Sequence, residues 1–169
     1  MCALTSRHDE HAPILLPSEG ASLYRQVAPR PQASFRRTED RQFLTMEWAF
    51  RRTGGLSTGD EVAQLLRRRL GQPISTLARW IVDREILVFN WQARMLVPMF
   101  QFEPSDMSLR HGPVAVVREL VDVLDDWELA LWFAQPNEWL NDTAPVDAIT
   151  VDLASVLEAA RADRFIAQG

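Results

Sequence analysis

Residues 58–80 read TGDEVAQLLRRRLGQPISTLARW. Thr58 stands three residues before Glu61, the spacing of a capping box, in which each side chain satisfies a backbone N–H that the first helical turn leaves unpaired. Val62, Leu65, Leu66 and Leu70 then recur at helical spacing, and Gly71 predicts the stop. After Gln72, Pro73 takes a first-turn position where its missing N–H costs nothing, and Ile74, Leu77 and Ile81 with Ala78 predict the apolar stripe of a second short helix. Two helices joined by a glycine-containing turn follow from these signals. Downstream, Ile86 to Phe89 and Met95 to Phe102 are rich in β-branched and aromatic residues and are divided by Asn90, Gln92 and Arg94, which predicts a hairpin. Pro98 predicts that its strand lies at a sheet edge. Upstream, Phe43, Met46 and Phe50, with Leu44 and Trp48 alongside, predict a packing helix that ends at Gly54-Gly55.

A capped helix, a tight turn, a second helix and a hairpin, in that order, describe the winged form of helix-turn-helix, whose second helix enters the major groove. With Ile74, Leu77 and Ile81 inward, Ser75, Thr76 and Arg79 face outward, where base edges and phosphates would lie. Gln72 and Arg84 flank that helix and join the expected DNA-contacting set. Thr76-Leu77-Ala78-Arg79-Trp80 followed by a hairpin resembles MerR-like winged helix-turn-helix domains, and the resemblance implies that the wing tip, Gln92 and Arg94, touches the DNA backbone. The same helices also fit an ordinary αα-corner, with Arg67, Arg68 and Arg69 as a solvated face. Trp80 reads as core filling.

Charge divides the chain. Residues 1–100 hold 14 arginines against 10 acids, a balance of +4, and residues 101–169 hold 4 arginines against 13 acids, a balance of −9. An arginine-bearing half can displace counterions from a phosphate backbone, whereas an acidic half is repelled by it, so the halves are expected to face different partners. Residues 1–40, with scattered prolines and polar residues around the cluster Arg30, Arg36 and Arg37, are expected to form a flexible arm. The domain-like division expected is 41–105 for the DNA-contacting part and 106–169 for a helical C-terminal part.

Beyond Arg110 the pattern is helical again. Val114, Val117, Val121 and Leu124 recur at helical spacing, Asp125 or Asp126 is placed to cap a helix from Trp127 to Ala134, and Pro136-Asn137 breaks it. A short turn from Pro145 to Ile149 leads to a last helix, capped by Asp152, with Leu153, Val156, Leu157 and Ala160 on one face. Trp132-Phe133-Ala134-Gln135-Pro136-Asn137-Glu138-Trp139-Leu140, then Thr143-Ala144-Pro145-Val146-Asp147 and the closing helix, resembles the toxin-binding domain of Xre/MbcA/ParS-type antitoxins. Asn141-Asp142 stands where that family usually has a glycine. The resemblance implies a helical module that blocks a RES-type toxin encoded next to it. It places Trp132, Pro136, Asn137, Trp139, Leu140 and Pro145 at the toxin-binding surface, with Arg161, Arg164 and Phe165 in a tail that outlasts the apolar stripe. Trp127 and Trp132 are expected to be buried structural residues, and Trp139 to serve either core or interface.

Enzyme chemistry is not expected. His8 and His11 fall in the arm, His111 sits beside Gly112-Pro113 at a helix entry, and none has a partner at metal or nucleophile spacing. No glycine-rich phosphate loop is present, and no cofactor or metal is expected. The lone Cys2 and the lack of any apolar run near membrane-spanning length point to a cytoplasmic protein. The expected protein is mainly α, an antitoxin of a type II system that represses its own operon as a homodimer; the alternative is a MerR-like regulator with no toxin partner, and a third reading is an interaction protein whose helix-turn-helix no longer binds DNA.

Overall fold

The computed structural model describes residues 31–68 and 72–169. Most of the arm expected over residues 1–40, with His8, His11 and Arg30, lies outside the described residues, but its last ten residues are helical. Helix α1 runs Pro31–Arg51. Neither Gly nor Pro interrupts the chain between Pro31 and Gly54, so residues 31–40, expected to be flexible, continue the helix instead, with Arg36 to Asp40 exposed. Farther along α1, Met46 and Phe50 are buried, and Phe43 stacks on Trp91 at 4.5 Å between ring centroids. The Gly55 N–H closes the helix on the Phe50 carbonyl at 2.8 Å. Gly54 has a φ of +107°, and a Cβ there would lie 2.9 Å from that of Met99, so both backbone and space demand glycine.

Strand β1 (Leu56–Thr58) leads into α2 (Gly59–Arg67) and α3 (Pro73–Val82), followed by β2 (Phe89–Trp91) and β3 (Arg94–Pro98). The capping box forms as predicted, Glu61 N–H donating to Thr58 Oγ1 at 3.3 Å and Thr58 N–H to Glu61 Oε2 at 2.7 Å. Leu70 and Gly71, expected to finish the first helix, lie outside the described residues; α2 itself ends at Arg67. On α3 the buried residues are Leu77 and Trp80, whereas Ile74 is 62% exposed, which corrects the predicted stripe. The large Trp80 ring, tilted against Phe102 at 6.1 Å, claims the inner face and turns Ile74 outward.

The hairpin is present with shorter strands than expected, because Ile86–Val88 is irregular although buried and Met99–Gln101 is a 3-10 turn. The sheet is antiparallel in the order β1-β3-β2, so Pro98 ends the central strand rather than lying on an edge. The register that pairs Phe89 with Leu96 would bring Leu87 opposite Pro98. Pro98 has no N–H to give, and the side chain of Gln101 fills the gap: it accepts from Leu87 N–H and donates to the carbonyls of Leu87 and Pro98, both at 2.9 Å. Gln101 is accordingly the buried polar residue of the core.

Helix α4 (His111–Leu120), α5 (Asp126–Ala134), a 3-10 turn (Glu138–Leu140), α6 (Pro145–Ala148) and α7 (Leu153–Gln168) complete a mainly α molecule. Asp125 caps α5 and Asp152 caps α7, as their spacing predicts. The predicted helix through Leu124 stops at Leu120, and the chain turns before Asp125.

Two apolar clusters fill the interior. One lies beneath α2 and α3 and joins Val62, Leu66, Leu77 and Trp80 to Val97, Phe102 and Met107. The other gathers Met46, Phe50, Leu87, Phe89 and Phe100 with Val116, Leu129, Phe133, Val146 and Val156. Each draws on both sides of residue 105, so the expected boundary at 105/106 does not divide the core. No helix among the described residues is long and apolar enough to cross a membrane.

Candidate functional site

The C-terminal third is organised around one carboxylate. Asp163, on α7, accepts from Trp132 Nε1 at 2.7 Å, Asn137 Nδ2 at 2.9 Å and Trp139 Nε1 at 3.0 Å. An ionised acceptor strengthens each of these bonds relative to a neutral one. Asn137 in turn accepts Trp139 N–H through Oδ1 at 2.9 Å, which starts the 3-10 turn, and its own backbone N–H bonds Thr143 O at 3.2 Å. The chain then reverses through Asn141 and Asp142, with φ of +53° and +60°. Asn and Asp are among the few side chains that tolerate this region, so they replace the glycine that the turn would otherwise take. Trp139 is held by its N–H yet remains 58% exposed.

The other expected partner-binding residues separate into three groups. Pro136 is exposed beside the cluster. Leu140 and Pro145 are buried, so they support the turn and do not form a contact surface, which corrects their expected place. Arg161 and Arg164 do not lie in a tail: α7 continues to Gln168, and both arginines meet Glu119 of α4, at 3.0 and 3.2 Å. Phe165 lies on the same helix with 80% of its surface exposed, and Ile166 beside it is also exposed. Trp127 and Trp132 are half-buried rather than fully buried; Trp127 Nε1 donates to Gln42 Oε1 of α1 at 3.0 Å, and its ring meets Phe89 and Trp91.

Among the expected DNA-contacting residues, Gln72, Ser75 and Arg79 are exposed along α3, and Gln92 and Arg94 are exposed at the hairpin. Thr76 is half-buried and its hydroxyl donates to Gln72 O at 2.9 Å. Arg79 makes no salt bridge among the described residues. Arg84 is different, because its guanidinium donates to Val121 O at 2.7 Å and to Asp126 Oδ1 at 3.0 Å. That side chain ties the end of α3 to the α4–α5 turn and is withdrawn from the outward set. Arg118 makes a second tie across the same seam, to Glu85 at 3.0 Å. His111 is exposed at the start of α4, and no group of three His, Cys, Asp or Glu is placed to hold a metal among the described residues.

Sequence reasoning missed Asp163 and Glu119, and it read Asp126 only as a possible helix cap. Asp163 alone carried a usable signal, since it continues the face of Val156 and Ala160 at helical spacing, where a carboxylate needs donors. Glu119 and Asp126 find their arginines 42 to 45 residues away, which local spacing cannot reveal.

No protein-family model, curated protein or solved structure matches the chain.

Proposed function

We propose that the chain is the antitoxin of a type II pair: its C-terminal third binds and neutralises a RES-type toxin encoded beside it, and its middle contacts operator DNA as a homodimer. One observation carries the reading. Trp132, Asn137 and Trp139, the residues on which the family resemblance rests, converge on a single carboxylate, Asp163, and leave the Trp139 ring at the surface. A fixed, exposed aromatic is the kind of residue that anchors a protein interface, because little of its freedom remains to be lost on binding.

The DNA half of the reading is supported by the element order of α2, α3 and the hairpin, with Ser75, Arg79 and Arg94 outward. Coexpression with the neighbouring gene product and affinity capture tests the toxin half. The toxin is expected to copurify with the wild-type chain and to be lost with Trp139→Ala; a neighbouring protein that never copurifies overturns it. A MerR-like regulator without a toxin is the second reading, favoured by the bonds of Arg84 to Val121 and Asp126, which would carry a C-terminal signal to α3. For that reading, promoter DNA is bound and no protein is captured.

A further inference from the structure

A groove runs between the exposed Trp139 and the start of α7, with the half-buried Ala148 as its apolar floor and the exposed Val151, Asp147 and Asp152 on its rim. No arginine lines it. The four arginines of residues 101–169 are all engaged elsewhere: Arg110 with Glu103, Arg118 with Glu85, and Arg161 and Arg164 with Glu119. The two rim carboxylates therefore have no cation of their own third of the chain to neutralise them. The Ser155 hydroxyl and amide, donating at 2.7 and 3.0 Å, lower the pKa of the Asp152 carboxyl from its ordinary value and so favour its charged form.

We infer that this groove binds an arginine-bearing segment of the partner protein, a step that rests on the proposed partner-binding role of this surface. An arginine combines the two chemistries the groove offers. Its three-carbon stem covers Ala148 and Val151, and its guanidinium lies over the Trp139 face within reach of the carboxylates. The ring is already oriented, because Asp163 holds the indole N–H at its edge. The −9 balance of residues 101–169 adds a long-range attraction for a basic partner.

The test uses the full chain and a short soluble peptide with two arginines, with a citrulline copy of the same peptide as the neutral isostere. The indole N–H resonance of Trp139, assigned by its loss in Trp139→Phe, is followed by NMR during titration. Saturable shifts are expected with the arginine peptide. The citrulline copy, and the arginine peptide on an Asp147→Asn, Asp152→Asn variant, are each expected to bind about tenfold more weakly, a factor that corresponds to about 1.4 kcal/mol. Asn retains the capping ability that Asp152 supplies to α7, so this variant keeps the fold. Equal binding of the citrulline copy, or no effect of the double substitution, overturns the inference.

Capture of the neighbouring toxin separates this result from the broader reading. If Asp147→Arg captures the toxin as well as the wild type does, the groove is not the contact although the antitoxin reading stands. If the peptide binds as expected and no toxin is ever captured, the groove stands and the antitoxin reading falls. Sedimentation of the wild-type chain and of Asp147→Arg covers the remaining occupant: a self-association that the substitution abolishes assigns the groove to a second copy and overturns the inference.

Discussion

Three side chains share the Asp163 carboxylate, and none of them has another acceptor for the same N–H group. Asp163→Ala leaves the half-buried Trp132 indole N–H and Asn137 amide, and the more exposed Trp139 indole N–H, without that acceptor. We expect a loss of about 2 kcal/mol, because bonds to a charged acceptor are worth about 1.5–3 kcal/mol each and partial solvation recovers some of that. For a chain of this size the melting midpoint falls by about 4–8 °C, readable by circular dichroism. A midpoint within a degree of the wild type shows that water replaces the carboxylate at no cost. At the hairpin tip the direction reverses. Gln92 and Ala93 both have positive φ, +45° and +62°, as a two-residue type I′ loop requires, yet neither residue type favours that region. Replacing the pair by Asn-Gly is expected to raise stability by about 1 kcal/mol in a denaturant titration; no gain means that the loop is held by its neighbours rather than strained.

The helices α2 and α7 are each started by a carboxylate whose pKa is lowered. The Thr58 amide and hydroxyl lower that of Glu61, and the Ser155 hydroxyl and amide lower that of Asp152. A lowered native pKa means that the unfolded chain takes up the proton first. The caps therefore contribute their full stability above the ordinary carboxylate range and lose it as pH falls through the lowered values. Acidification should release the amide protons of Thr58 and Ser155, which donate to the Glu61 and Asp152 carboxylates, to exchange before those of helix interiors, and simultaneous release of both classes contradicts the sequence of events. On α3 and just beyond its end, Arg79 and Arg84 separate two roles that the sequence placed together. Arg79→Ala is expected to weaken promoter binding and reduce the salt slope by about one, as loss of one phosphate contact does. Arg84→Ala is expected to leave affinity nearly unchanged and to lower the melting midpoint, since its bonds run to Val121 and Asp126. Fluorescence anisotropy on the promoter fragment measures the first effect; equal losses in both variants place Arg84 on the DNA.

For the molecule as a whole, the cluster that buries Phe133, Val146 and Val156 also buries Met46 and Phe50 of α1 and Leu87, Phe89 and Phe100 of the sheet region. A fragment of residues 106–169 exposes the apolar face those residues cover and is expected not to fold alone, giving a collapsed proton NMR spectrum. A dispersed, cooperatively melting fragment shows that the C-terminal third is autonomous. Truncation after Ala160 cuts inside α7, which continues to Gln168. Removing Arg161, Asp163 and Arg164 takes away the shared acceptor and both partners of Glu119, so such a chain loses structure along with any contact surface.

What the sequence by itself determined is local. The capping box at Thr58 and Glu61, the caps at Asp125 and Asp152, the proline-started α3 and α6, and the place of the hairpin all rest on signals within a few residues, where backbone N–H satisfaction and apolar spacing act directly. Trp132, Asn137 and Trp139 were grouped by the family resemblance alone, not by local spacing. The tertiary structure alone decided what each face meets. It turned Ile74 outward in favour of Trp80 and placed Pro98 in the central strand, where Gln101 supplies the missing hydrogen bonds. It also gave Arg84, Arg161 and Arg164 to carboxylates far along the chain and brought Asp163 to the indole N–H of Trp139. Those outcomes depend on shape and on which charges and donors become neighbours when α1, the sheet and α4 to α7 close on one core, and no repeat or spacing in the chain encodes that closure locally.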